Sequence, residues 1–486
     1  MTFRPDTARL AETAQQLMEK YHLPGLALGA VIAGEPAWQE AWGWADIAAK
    51  VPLTPGHRQR IASISKTTLG LNIMALADEG HLSLDSRIGD LLPDITFHGP
   101  ADDLALRHLL THTGGIGEAP NAGDLGKVFD KLFGESDPDT PLAELYADGI
   151  TIEVEPGTKW AYANHGYLLL GEIISRLEGV PLPESLQRRV FEPLGMRDTD
   201  LNDVPHPDLS RGYSQADTPA DRRLLDLLGI QLESDEPEDE HNLPGKYVRT
   251  WGNGGAGGVQ STVPDMLTYA SALLHGAGGI VRPETFAAMT SPHWQPDQRL
   301  NGWGLSFAVA RPYGHRRFGH GGAAFGGWNS TLAVFPDLDA ALVIHVNLWR
   351  NDYDSAIVPP LTQAFLGERD PEPPDVPIDQ RIIDTAPGVY ELASNTPLTD
   401  FRTRFTPGRV LVSAANGGLM IRGQRGPWSE GAPLTAADPA QPDLLLVKNG
   451  AATERVVVLF DGAEVSGLRF QALFDLHRNP AAQPWP

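Results

Sequence analysis

The 486-residue sequence contains no cysteine. Disulfides, thiolate metal sites and a cysteine nucleophile are therefore excluded, and the composition fits a reducing compartment. Positive charge is also scarce, with 38 Lys and Arg against 62 Asp and Glu and a formal net charge of -24. So acidic a chain repels phosphate backbones, and no nucleic-acid partner is expected. No apolar run approaches the ~20 residues a membrane helix needs, so no membrane partner is expected either. The opening residues, MTFRPDTARLAETAQQL, lack the apolar core of a signal peptide. These features predict a cytoplasmic protein, or a periplasmic or secreted one if a leader has been removed.

What is present describes a globular enzyme-sized chain. Hydrophobic residues make up 41% and charged residues 21%, enough apolar surface to offset chain entropy. Single cores stop growing near ~250–300 residues, so two units are expected. An amphipathic helix from Leu10 to Tyr21 precedes GLALGAVIAG and PAWQEAWGWAD, which read as two strands turning at Gly34-Glu35. SISKTTLGLNIMALADEG reads as a buried helix with Ser63 at its N-cap and Gly80 at its C-cap. RHLLTHTGG, Tyr167 to Gly179 and STVPDMLTYASALL supply further helices. The acidic stretch from Ala216 to Tyr247, containing ESDEPEDE, reads as an exposed insertion. FGHGGAAFGGWNSTLAVFPDLDAALVIHVN reads as two strands turning at Pro336 to Asp339.

The proline-rich, charged segment Gly367 to Asp379 reads as a semi-rigid linker. Beyond it come FRTRF, RVLVSA, GLMIRG, DLLLVK, ERVVVLF and GLRFQALF, short β runs with no convincing helix. The expected organisation is an α/β (α+β) domain over residues 1–366, the linker 367–379 and an antiparallel β-barrel over 380–486. In the first domain, an antiparallel sheet built from both ends packs against helices and includes an all-helical part.

Chemistry is suggested first by Ser63-Ile64-Ser65-Lys66, which places a hydroxyl and an amine one helical turn apart. A serine becomes nucleophilic when a neighbouring base takes its proton, and a lysine can be that base if burial or positive neighbours lower its pKa. A helix N-terminus beside the serine adds N–H groups suited to an oxyanion. Tyr162-Ala163-Asn164 and His320-Gly321-Gly322 follow in order.

These three motifs, with the flanks RHLLTHTGG, WAYANHGYLLLGEII and RVFEPLGMRDT, resemble the class C β-lactamase-like family. That family also includes penicillin-binding proteins, D-aminopeptidases, D-alanyl-D-alanine carboxypeptidases and esterases. The resemblance covers about three quarters of the chain. It implies a β-lactamase/transpeptidase fold with Ser63 as nucleophile and Lys66 and Tyr162 as proton-handling partners, either of them the base. It further implies that Asn164 binds Lys66 and the substrate amide, that the backbone N–H groups of Ser63 and Ala323 form the oxyanion hole, and that Gly321 and Gly322 give access. His320 stands where typical β-lactamases carry Lys, and a neutral imidazole would not supply their permanent cation. His-x-Gly is closer to the D-aminopeptidase branch and some esterases, whose C-terminal β domain suggests a lipocalin-like barrel here.

The implied reaction is acyl transfer through an acyl-enzyme on a small molecule or short peptide, with no cofactor and no metal. A D-aminopeptidase-like peptidase or amidase leads, followed by a carboxylesterase and then a β-lactamase. A non-catalytic scaffold or sensor is the reading from another class. His108 and His112 share a possible helix face but lack HExxH, and Trp251 to Ser261 lacks a phosphate loop's ending. His315, Arg316 and Arg317 could meet an acidic substrate end or be strand-end charges. Trp328 could line the pocket or fill the core.

Overall fold

The computed structural model describes residues 3–117, 140–202, 204–217, 222, 225, 230–249, 252–368, 376–392, 408–415, 417–424, 426–471 and 474–485. The FRTRF run, positions 369–375 of the expected linker and much of 218–229 in the insertion lie outside these residues.

Helix α1 (Thr7–Tyr21) begins where the Asp6 carboxylate accepts the Arg9 amide at 3.0 Å. Its Leu10, Ala14 and Leu17, three or four residues apart, are buried in one row. That row packs on strand β1 (Gly25–Ile32), which turns into β2 (Glu35–Asp46), with β3 (Val51–Pro52) at the edge. The rest of the sheet comes from the far end of the chain as β4 (Gly302–Trp303), β5 (Ala308–Ala310), β6 (Arg317–Ala324), β7 (Trp328–Phe335) and β8 (Ala340–Val346). The order is β4-β5-β6-β7-β8-β1-β2-β3, antiparallel throughout. The early and late strands of this sheet meet at β1 and β8, where Leu26 pairs with Val346 and Ile32 with Ala340.

Helices cover both faces. Helix α1 and helix α5 (Val358–Leu366) share one apolar cluster with even-numbered β8 residues such as Leu342 and Ile344. On the other face, α2 (Ser65–Asp78), α3 (Asn164–Glu178) and α4 (Val263–Leu274) join Ala341 and Val343 in a larger cluster. Opposite faces for neighbouring residues are the two-residue period of a strand.

Local differences from the sequence reading have identifiable causes. The long run after Phe318 holds three strands, because a second turn at Gly326-Gly327 separates β6 from β7. Both glycines adopt positive φ, 101° and 124°, which few other residues tolerate. Ser63 is not the N-cap of α2; it sits in a 3₁₀ turn, Ala62–Ile64, and the α-helix starts at Ser65. Helix α3 starts three residues earlier than expected, at Asn164. The acidic ESDEPEDE stretch is mostly exposed, but Asn242–Pro244 just after it is a buried strand paired with Tyr213–Gln215.

The C-terminal part is a closed antiparallel barrel of eight strands: β9 (Gly388–Leu392), β10 (Val410–Ala415), β11 (Gly418–Gly423), β12 (Ala432–Ala436), β13 (Leu444–Asn449), β14 (Ala452–Asp461), β15 (Glu464–Phe470) and β16 (Asp475–Arg478). Tyr390 on β9 pairs with Arg478 on β16 and closes the ring, leaving no long unpaired edge. Alternate residues, among them Val410, Val412, Ile421, Val456 and Val458, fill it. One short helix, Gln380–Thr385, precedes the first strand where none was expected, capped by the Asp379 carboxylate.

Candidate active site

Residue Ala62, immediately before Ser63, has φ +48°, a left-handed conformation costly for a residue with a Cβ. The surrounding structure holds it there. Ser330 Oγ on β7 donates to the Ile61 carbonyl at 2.8 Å, and Ser65 Oγ donates to the Ala62 carbonyl at 2.6 Å. Ser65 Oγ also accepts the Val259 amide at 3.1 Å, so this buried hydroxyl is committed to the frame of the turn. Ser63, between these ties, is half-buried.

The Lys66 side chain is fully buried, one turn along. Its Nζ lies 3.0 Å from Ser63 Oγ, 2.7 Å from Asn164 Oδ1 and 2.5 Å from the Ala256 carbonyl oxygen. Amide and carbonyl oxygens can only accept, so two Nζ hydrogens are assigned by geometry. The Ser63 contact can run in either direction: an ammonium donates to Oγ, whereas a neutral amine directs its lone pair there. The Tyr162 and Tyr167 rings flank the amine, with centroids 5.0 and 5.4 Å from Nζ. Both distances suit attraction between a cation and an aromatic face. Ala256, in the glycine-rich segment near 252–258, carries a contact that no motif announced.

Tyr162 is itself held from behind. Ala161 N donates to the His112 carbonyl at 2.8 Å and Ala163 N donates to His112 Nδ1 at 3.1 Å. Because Nδ1 accepts, the neutral ring carries its hydrogen on Nε2. The possible shared helix face with His108 does not form, since the helix Leu106–Leu110 ends before His112, whose φ is +56°. His108 instead caps that helix, Nδ1 accepting the Ala105 amide, and burial together with nearby Arg107 lowers its pKa.

Strand β6 brings in the third motif. It pairs with β7 along its length but with β5 only as far as Gly319, so the backbone from His320 to Ala324 runs against the Ser63 turn. A Cβ on Gly322 would lie 2.3 Å from both the Ile61 carbonyl oxygen and Ser330 Oγ, so only glycine permits this approach. The buried His320 ring has Nδ1 2.5 Å from the Gly321 carbonyl oxygen. Nδ1 is therefore the donor, and a neutral His320 presents Nε2 as an acceptor. Arg317 alternates to the other face of β6, half-buried near Asp354 and Tyr353, away from this cleft. Arg316 bonds the Thr290 carbonyl and His315 approaches Glu368 at 3.9 Å. Trp328 is a core residue, packed with Ala62 and Ala324 and donating to Ser210 Oγ at 3.2 Å.

Trp303, which the motifs did not indicate, joins the groups. Its ring lies 5.0 Å from His112, 5.3 Å from His320 and 6.1 Å from Tyr162, each edge to face. Trp160 stands 5.4 Å from Trp303 and extends the aromatic wall. Both indole N–H groups are buried without a hydrogen-bond partner among the described residues.

Esterase EstB of Burkholderia gladioli is 26% identical over 318 residues, covering 62% of this chain and 79% of that protein. A D-aminopeptidase of Cereibacter sphaeroides (strain ATCC 17029 / ATH 2.4.9) is 30% identical over 257 residues, covering 49% of this chain and 48% of that protein. Among solved structures, an octameric penicillin-binding protein homologue from Pyrococcus abyssi superposes with a TM-score of 0.61 at 20% identity, covering 97% of this chain and 99% of that one. The beta-lactamase family profile matches residues 10–362, and the chain belongs to that family of serine hydrolases and penicillin-binding proteins.

Proposed function

We propose that this chain hydrolyses a small amide or ester through an acyl-enzyme on Ser63, with a D-aminopeptidase-like peptidase or amidase activity as the leading reading. The contact between Lys66 Nζ and Ser63 Oγ at 3.0 Å carries the proposal. Asn164 and Ala256 orient the amine by taking two of its hydrogens, so its third direction faces the attacking oxygen. Ser63 Oγ adds to the carbonyl carbon while its proton passes to Lys66 or Tyr162, and the backbone N–H groups of Ser63 and Ala323 receive the developing oxyanion. Collapse expels the leaving amine or alcohol with a proton from the same relay. Water then repeats the sequence in reverse and releases the acid.

A neutral His320 supports substrates without an obligatory carboxylate, which places β-lactams behind amides and esters. The carboxylesterase reading is favoured by one observation: similarity to Esterase EstB spans more of both chains than similarity to the D-aminopeptidase. The deciding experiment compares D- and L-amino acid nitroanilides, nitrophenyl esters and nitrocefin, using the natural chain and Ser63→Ala. Turnover of a nitroanilide or ester that Ser63→Ala abolishes is the expected result. Failure to turn over any of them, with no covalent label from a serine-directed phosphonate, would leave the scaffold reading instead.

A further inference from the structure

Among the described residues, two contacts of the barrel with the catalytic part lead to walls of the cleft. The first is Arg299. Its guanidinium grips Asp443 on the barrel through two parallel bonds of 2.8 Å, and Asp297 on its own loop through bonds of 2.9 and 2.7 Å. The fork geometry of Arg on carboxylates is strong and directional. Around it, Arg455 and Arg469 of the barrel donate to the carbonyls of Arg299 and Pro296, at 3.0 and 3.4 Å. Leu300 is buried against Leu444 and Val457 of the barrel. The loop so held is closed at its base by reciprocal bonds between Trp294 and Trp303, N to O at 3.0 and 2.8 Å. Trp303 is the indole that packs against His112, Tyr162 and His320.

The second contact lies at the tip of the hairpin between β13 and β14, where Ala451 N donates to the Ser355 carbonyl at 2.9 Å. Ser355 belongs to the turn Tyr353–Ala356, whose Tyr353 hydroxyl bonds Thr331 at 3.0 Å, and Thr331 pairs with Gly321 of the third motif.

We propose that the barrel is a positioning element for the active site: by gripping Arg299 through Asp443, it holds the 294–303 loop so that Trp303 forms the aromatic wall beside Tyr162 and His320. The proposal rests on reading this cleft as the active site. Arg299 and Asp443 touch no reacting atom and act through Trp303. Within the loop, Gln295 Nε2 donates to the Leu300 carbonyl at 2.9 Å and Leu300 N to the Asp297 carbonyl at 3.0 Å, and Gly302 and Trp303 pair with Val309 and Ala308 of β5. Its apolar side chain Leu300 is anchored on the barrel, so the outer part of the loop takes its position from that side.

The test uses the full chain with Asp443→Ala, which cuts the grip on the barrel side and leaves the Asp297–Arg299 pair intact, and Asp443→Glu, which retains a carboxylate. Hydrogen exchange is read at the Trp294 and Trp303 amides, and kcat and KM are measured for an acetyl and a bulky aromatic nitrophenyl ester. Asp443→Ala should speed exchange of these two amides about 10-fold, as expected for loss of one charge-assisted link. Exchange across β7 and β8 should stay unchanged. KM for the bulky ester should rise several-fold against the acetyl ester, with kcat for the acetyl ester retained, and Asp443→Glu should recover both. Unchanged exchange at 294–303, uniformly faster exchange through the whole chain, or equal kinetic losses on both esters would overturn the proposal. If the natural chain takes no label at Ser63, the reading of the cleft fails, while the exchange measurement still decides whether the barrel orders the loop.

Discussion

The His112 imidazole lies nearly parallel on the Tyr162 ring, with centroids 4.1 Å apart and planes inclined by 28°. Backbone bonds from Ala161 and Ala163 to His112 fix the tyrosine on both sides of that contact. His112→Ala should therefore lower kcat about 10-fold or more, because small displacements of a proton-transfer group are costly. His112→Asn should recover part of the loss, since its Oδ1 can accept the Ala163 amide. Steady-state kinetics of the two variants checks this, and equal losses would assign the whole effect to the stacked ring.

If Lys66 and Tyr162 handle the proton as proposed, removal of either should slow acylation by ~100-fold or more, as is usual for positioned proton transfer. Lys66→Ala and Tyr162→Phe should be non-additive, because a shared relay is lost with its first member. Burst kinetics on an activated ester distinguishes the cases; a double variant far worse than either single one argues for two separate roles.

His320→Lys should improve turnover of carboxylate-bearing substrates roughly 5–30-fold in kcat/KM, the equivalent of about 1–2 kcal/mol of added attraction in a partly exposed cleft. Neutral esters should gain nothing, and the improvement should shrink as salt rises through 0.1 M. Efficient hydrolysis of penicillins by the natural chain would show that the imidazole already serves as the cation.

On β8, His345 is fully buried with neither ring nitrogen hydrogen-bonded among the described residues, and burial pushes its pKa from 6.5 down to about 4. The unfolded chain then binds a proton between those values that the folded chain refuses, so stability falls as pH drops from about 6.5 to about 4. His345→Leu should lose less stability over that window, by on the order of 3 kcal/mol. Chemical denaturation at several pH values measures the difference; parallel losses in both proteins would refute it.

Much of the fold follows from local patterns. The Leu10, Ala14, Leu17 row states a helical period, and the short, unbroken apolar run AALVIHV of β8 reads as a strand buried on both faces. Turns were harder to read: Gly326-Gly327 hid inside an apolar run, because strand-like residues flank it on both sides. The acidic insertion concealed the strand Asn242–Pro244, whose place depends on partners at Tyr213–Gln215, far away in sequence.

By itself the sequence determined the Ser63 and Lys66 pairing, the order of the three motifs and the presence of a β-rich C-terminal part, since adjacency along a helix and alternation along a strand are local properties. Tertiary structure alone decided that Ala256 supplies a carbonyl to Lys66, that His112 backs Tyr162, that Trp303 walls the cleft, and that Asp443 of the barrel reaches Arg299. The hydrogen bonds from Ala163 to His112, from Arg299 to Asp443 and from Lys66 to Ala256 join residues 51, 144 and 190 positions apart. No spacing rule encodes them, because they exist only after the sheet has brought β1 and β8 together and the barrel has closed beside it.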